Sequence, residues 1–215
     1  MLKIIKTYEI LLEAFGPQNW WPSNTTDETI IGAVLTQNVS WKNVEKAIEN
    51  LKNNNIYTLE DILNIDTENL SNLIISARFS KQKAIYLKNI ASFFKKYDYN
   101  YETIKKIDIN ILRKELLKVK GIGEETCDTI MLYALEIPIF VIDAYTKRIF
   151  NKIGLIENVN IKYKELQNIF HNCLGKNVNL YNEYHALLVK LGKDFCKKKP
   201  LCNKCPLNKK VCFGG

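Results

Sequence analysis

Apolar residues recur at i, i+3 and i+4 along almost the whole of this chain, a period that only a helix satisfies. The segments 2–15, 27–37, 41–53, 58–64, 67–76, 80–96, 109–118, 124–136, 144–153, 162–173 and 180–192 each carry it. Breaks fall at Gly16-Pro17, Trp21-Pro22, Gly121-Ile122-Gly123, Pro138, Gly154 and Gly175, residue types that end helices or turn the backbone. Alternation of period two never lasts beyond a few residues. The run Ile137 to Ile142 is apolar and β-branched, but it is short and suits a buried connection. The expected fold class is all-α. With 215 residues and 47% hydrophobic content, the chain builds one large domain or two small ones folded together.

Cys196, Cys202, Cys205 and Cys212 follow the last helical segment with the spacing C-x5-C-x2-C-x6-C. Thiolates this close in sequence can reach one inorganic centre, either a [4Fe–4S] cluster or a structural zinc ion. No signal peptide is visible, and no apolar run approaches the ~18 residues of a membrane span. The expectation is a soluble, cytoplasmic protein without a membrane partner, a setting that favours metal binding over disulfides. Cys127 and Cys173 sit alone in helical patterns, as small buried hydrophobes do. Net charge is +8 and the pI near 9.0, which suits an anionic partner such as nucleic acid. Around the cysteines, Lys197, Lys198, Lys199, Lys204, Lys209 and Lys210 occur with no acidic residue among them.

Two further stretches carry candidate chemistry. Leu117 to Thr126 joins two helices through Gly121-Ile122-Gly123. Paired glycines permit a tight turn and close approach of another chain. Amides at the start of the second helix can then hold a phosphate without reading sequence. Alternatively, the turn is an ordinary helix–helix connection. Downstream, Asp143 follows the apolar run and precedes a helix, as an N-cap residue does. A capping Asp can also be catalytic, because the cap holds its carboxylate in place.

Hairpin, Asp and cysteine cluster, in this order and at these separations, resemble the helix-hairpin-helix DNA glycosylases of the endonuclease III superfamily over nearly the whole chain. The resemblance implies two helical lobes with the active site in a cleft between them. A six-helix barrel would span 24–131 and end in the hairpin. Residues 1–23 and 132–215 would form the other lobe, with a structural [4Fe–4S] cluster on the four cysteines and zinc as the alternative. The family's usual spacing is C-x6-C-x2-C-x5-C, so one residue has moved between the outer gaps here. The implied partner is double-stranded DNA containing a damaged base, bound by a monomer. Backbone contact would come through Lys120, Gly121, Ile122 and Gly123.

Bifunctional members carry a lysine at the position of Glu125. That amine attacks the sugar C1′ and forms a Schiff base that permits strand cleavage. Glu125 cannot do so, which implies base removal without strand cleavage. The usual proline before the first hairpin glycine is replaced by Lys120. A narrower resemblance joins Trp20-Trp21-Pro22, the stretch Ile30 to Trp41 and Gly123-Glu124-Glu125-Thr126 to the 3-methyladenine DNA glycosylase branch. It places Trp20, Trp21, Pro22, Trp41 and Glu125 around a base pocket. It also makes Gln37 the residue that fills the gap left by a flipped nucleotide. The alternative for the tryptophans is core anchoring.

An N3- or N7-alkylated purine is cationic, favours aromatic faces and leaves readily. The sugar then acquires oxocarbenium character, which the Asp143 carboxylate would stabilise while it orients or deprotonates the attacking water. Glu125 would add negative potential near the base or only serve its helix N-terminus. Tyr145 supports the Asp143 turn or packs. His171 and His185 read as ordinary helix-face residues. Three other readings stay open: a glycosylase for an oxidised or mismatched base, a non-catalytic damaged-DNA binder, and a bifunctional lyase.

Overall fold

The computed structural model describes residues 2–212. Among them there is no β-strand, and only an isolated bridge pairs Asn208 with Cys212. The chain divides into two compact units. One runs from Trp21 to Ile137, and the other joins the N-terminal segment up to Trp20 with everything from Pro138 onward.

The central unit holds α2 (Thr26–Leu35), α3 (Trp41–Asn53), α4 (Leu59–Asn64), α5 (Thr67–Leu73), α6 (Ser80–Lys95), α7 (Tyr101–Lys105), α8 (Ile109–Leu117) and α9 (Glu124–Thr129). Several of these helices are only five to seven residues long. Helix α2 is its axis. Ile30, Ile31, Ala33, Val34 and Leu35 are all buried, so this helix is apolar around its circumference, as a helix enclosed by others must be. Polar side chains start several of the rest. Thr25, Thr58, Asp66, Asn100 and Asp108 each accept a backbone N–H one turn into the helix, and Thr58 with Asp61 forms a full capping box.

Three departures from sequence periodicity have local causes. The segment expected over 67–76 stops at Leu73 and tightens into a 3-10 turn, Ile75–Ala77. The segment expected over 124–136 is α-helical only to Thr129, then widens into a π-turn, Ile130–Ala134. That extra residue per turn keeps Met131, Leu132 and Ala134 buried while Tyr133 faces a different neighbour. Helix α7 is a single short turn, too brief to show a period.

The second unit contains α1 (Leu2–Phe15), α10 (Ala144–Lys152), α11 (Tyr163–Leu174) and α12 (Val178–Asp194). Its core is aromatic. Phe140 stacks on Phe170 at 4.1 Å and meets Tyr181 and Tyr184 edge-on. The apolar run that might have made a strand is an extended strap with no strand beside it.

Helices α8 and α9, the two arms of the hairpin, are locked by a bidentate pair. Arg113 Nε donates to Asp128 Oδ1 at 2.7 Å and its Nη2 to Oδ2 at 3.1 Å, with Asp128 fully buried. Removing one partner strands a buried charge. Asp128→Ala is therefore expected to lower unfolding free energy by about 3–5 kcal/mol in urea titration; a change under about 1 kcal/mol would show that water already satisfies the guanidinium.

Candidate functional site

Asp143 caps α10. Its Oδ1 accepts both the backbone N–H and the hydroxyl of Thr146, each at 2.7 Å. Asp66 and Asp108 cap their helices in the same way but lie at the surface, whereas Asp143 is only 7% exposed. Its second oxygen, Oδ2, lies 3.7 Å from Nε2 of His185 on α12. Burial pushes this carboxyl upward, but His185 and the two Thr146 donors outweigh it and hold the pKa below the ordinary carboxylate value. The group is thus a buried carboxylate that stays ionised at neutral pH.

The strap that carries Asp143 is held by side chains from one face of α11. Ile142 N–H donates to the Tyr163 hydroxyl at 3.1 Å, Phe140 N–H to His171 Nε2 at 2.9 Å, and Gln167 Nε2 donates to Phe140 O at 2.7 Å. Positions 163, 167 and 171 are spaced one helical turn apart and so share a face. Both histidines are therefore more than helix-face residues: His171 props the strap and His185 faces Asp143. Tyr145 packs against Gly192, where an added Cβ would come within 2.4 Å of its ring, so its role is helix–helix packing. Arg148, from the same helix, donates to the carbonyls of Gly192 and Cys196.

In the central unit, Gln37 Nε2 donates to Gly121 O at 2.9 Å and to the Thr126 hydroxyl at 3.0 Å. Its amide nitrogen is thus committed to the hairpin. The two hairpin glycines are not equivalent. Gly121 has φ +99 and a Cβ there would meet the Tyr86 ring at 2.1 Å; Gly123 is extended, with nothing within 4 Å of a Cβ. Only Gly121 requires glycine. Ile122 is buried, Lys120 and Glu125 are exposed, and the Lys120 carbonyl accepts from Asn89.

The chain divides between Trp20 and Trp21, so the paired tryptophans belong to different units. Trp20 is half-buried. Trp21 lies 5.2 Å from Trp41, edge to face, and 5.4 Å from Tyr133 in the π-turn. Gly32 leaves the room it needs, since a Cβ there would sit 3.0 Å from its ring. These contacts favour core anchoring for Trp21. Pro22 and Trp41 instead line an open cavity of about 380 Å³ with Glu45 and Glu49 also in its wall.

Sequence reading passed over Arg78 and Phe79. Both have positive φ (47° and 50°), Phe79 is 64% exposed, and the Arg78 guanidinium lies 5.3 Å from its ring centroid. Bulky residues held at positive φ beside an exposed ring mark a strained turn. No glycine announces this turn.

The cysteine tail is anchored by buried Leu207 and Val211, while the lysines around it are exposed. Burial raises the Cys196 and Cys205 thiols. Cys205 and Cys212 add to the rise at Cys196, and Cys212 and Cys202 to that at Cys205, so the four sulfurs lie within one another's electrostatic reach. Among the described residues, no three His, Cys, Asp or Glu side chains converge as ligands of a metal ion. Cys127 is buried as expected, whereas Cys173 is partly exposed. No described helix is long and apolar enough to cross a membrane.

Gly121→Ala should weaken duplex DNA binding about tenfold, near 1.4 kcal/mol, and Gly123→Ala should leave it unchanged. Fluorescence anisotropy compares the two, and equal effects would show that the Tyr86 contact does not shape the hairpin.

The chain matches the model of the HhH-GPD superfamily base excision DNA repair protein over residues 31–175. It is 49% identical over 212 residues to a "Putative DNA repair glycosylase" of Methanocaldococcus jannaschii, covering 98% of this chain and 96% of that one. It is 31% identical over 179 residues to endonuclease III of Sulfolobus acidocaldarius, covering 82% and 77%. Among solved structures, 3-methyladenine DNA glycosylase of H. pylori bound to 1,N6-ethenoadenine superposes with a TM-score of 0.75 at 31% identity, over 89% of this chain and 96% of that one. A non-covalent endonuclease III–DNA complex gives 0.81 at 19% identity, over 99% and 94%, a likeness of fold. This chain belongs to the HhH-GPD superfamily of base excision DNA repair proteins and is a DNA glycosylase of the helix-hairpin-helix type.

Proposed function

We propose that this glycosylase is monofunctional and hydrolyses the N-glycosidic bond of an alkylated purine, such as 3-methyladenine, in double-stranded DNA. The observation that carries the reading is Asp143, a buried carboxylate kept ionised by its neighbours. Such a group stabilises a cationic sugar and takes a proton from water, but forms no Schiff base. The water oxygen bonds to C1′, the C1′–N bond breaks with its electron pair on the base, and the water proton passes to Asp143.

Several features support the details. A cavity walled by Trp41 and Pro22 with Glu45 and Glu49 beside them offers an aromatic face and negative potential, which a cationic base prefers to a neutral one. Trp21 meets the Trp41 ring edge to face, and by resemblance Trp20 and Glu125 would also contact the base. The Helicobacter relative is bound to a modified adenine, which fits a purine substrate. At Glu125 there is no amine for lyase chemistry. The buried Lys83, its pKa pushed down to about 8 by burial and by Arg78, donates to the Leu35 and Ala77 carbonyls instead.

DNA opening falls to the central unit. The hairpin residues Lys120 to Gly123 would meet a phosphate, and Gln37, which braces the hairpin, would leave Gly121 and Thr126 to enter the vacated stack. Phe79 would wedge between bases, as exposed apolar side chains do when they kink a duplex. The protein acts as a monomer, with the tail lysines on the backbone. The four cysteines would hold a structural [4Fe–4S] cluster. An all-cysteine set on one short tail suits such a group, which would tie the tail together when bound. About four irons per chain by elemental analysis, with little zinc, is the expected content.

A second reading, a glycosylase for oxidised or mismatched bases, is favoured by the 31% identity to a protein named endonuclease III. Base release from methylated duplex DNA decides between them. Wild type should release 3-methyladenine, and Asp143→Asn should lose about 100-fold or more of the rate with DNA binding retained. Borohydride should trap no covalent adduct; an adduct would return the lyase activity, and release only from oxidised or mismatched duplexes would replace the substrate.

A further inference from the structure

An N-cap needs one side-chain oxygen. Asp66 spends its Oδ2 on the amides of Glu68 and Asn69, and Asp108 its Oδ1 on those of Asn110 and Ile111; both lie at the surface, where water serves the remaining oxygen. Asp143 spends Oδ1 on Thr146 but keeps Oδ2 inside the protein. Serine, threonine or asparagine would cap α10 as well without burying a charge. On the facing helix, α12 buries Tyr181, Tyr184, Ala186, Leu187, Leu188 and Leu191, and among them His185 is the one imidazole. It is 7% exposed, and its Nε2 is the atom directed at Oδ2, 3.7 Å away.

We propose that His185 is a positioning residue for Asp143: its Nε2–H holds the carboxylate oxygen that Thr146 leaves open, and so fixes the plane and the ionised form in which Asp143 meets the sugar and water. The inference rests on the proposed role of Asp143 in base release. The distance exceeds a hydrogen bond by a few tenths of an ångström, within the tightening that catalytic contacts undergo when substrate binds. Loss of the imidazole would leave Asp143 buried with one oxygen unsupported, and a carboxyl so placed holds its proton to higher pH.

Polar and charged side chains on the elements that carry or face Asp143 have partners of their own. On its own helix, Lys147 donates to Ile161 O and Arg148 to Gly192 O and Cys196 O. From α11, the Tyr163 hydroxyl accepts Ile142 N–H. Further along α12, Lys190 pairs with Asp194. His185 is the titratable side chain that both lowers the Asp143 carboxyl and faces it.

The test compares wild type, His185→Leu and His185→Gln as full chains. The Asp143 carboxyl is titrated through its Cγ resonance by carbon-13 NMR, and single-turnover base release is measured on whichever lesion duplex wild type processes. Leucine fills the space without a donor; the glutamine amide places one where Nε2 stands. His185→Leu should raise the Asp143 midpoint by about one pH unit or more. It should also slow base release about 10- to 100-fold while affinity for duplex DNA holds, and His185→Gln should recover a substantial part of both. An unmoved midpoint in the leucine variant, or equal losses in the two variants with the midpoint unmoved, overturns the proposal and makes His185 a packing residue. Asp143→Asn, run alongside, separates the two claims. If it abolishes release while His185→Leu does not slow it, only the positioning role fails. If it leaves release intact, the assignment of Asp143 to the chemistry fails and the positioning role with it.

Discussion

Phe140 and the strap around it decide how this protein presents its carboxylate. A buried extended segment must satisfy its backbone N–H and C=O groups, and a sheet is the usual solution. Here there is no neighbouring strand. Tyr163, Gln167 and His171, one turn apart on α11, supply two acceptors and a donor instead. The Phe140 ring meanwhile sits at the centre of the aromatic core formed with Phe170, Tyr181 and Tyr184. Side-chain contacts at both backbone and ring leave the strap one conformation, and Asp143 stands at its end. A carboxylate on so rigid a support keeps one orientation.

Rigidity in the central unit has a different origin. The hairpin arms are tied by the Arg113–Asp128 pair, and its turn is braced by Gln37 and closed over the Tyr86 ring. The exposed features of this unit, Lys120 and the strained Arg78-Phe79 turn, project from supports that do not give. Buried charge and tight glycine packing thus fix the hairpin on which the superfamily resemblance rests.

The cysteine tail shows the same economy. Leu207 and Val211 fasten it, Arg148 ties its first carbonyl to α10, and the lysines are left for solvent and phosphate. Because α10 begins at Asp143, the tail and the carboxylate share one helix. Loss of order in either is expected to be felt by the other through α10 and α12.

Helix positions, breaks and the superfamily were legible in the sequence because they depend on local period, local caps and the spacing of motifs. The apolar repeat marked α1, α3, α10 and α11 nearly to the residue, and the spacing of hairpin, Asp143 and cysteines pointed to the superfamily. Tertiary structure alone decided which of two glycines is indispensable, because that depends on Tyr86 from another helix. It alone showed that Asp143, unlike the caps Asp66 and Asp108, keeps its second oxygen inside the protein. It also turned His185 from a helix-face residue into a partner of Asp143, bent the end of α9 into a π-turn that brings Tyr133 to Trp21, and spent the Gln37 amide on the hairpin. Each of these is a contact between residues far apart in the chain. Periodicity shows that a face is buried; what it is buried against is set by packing.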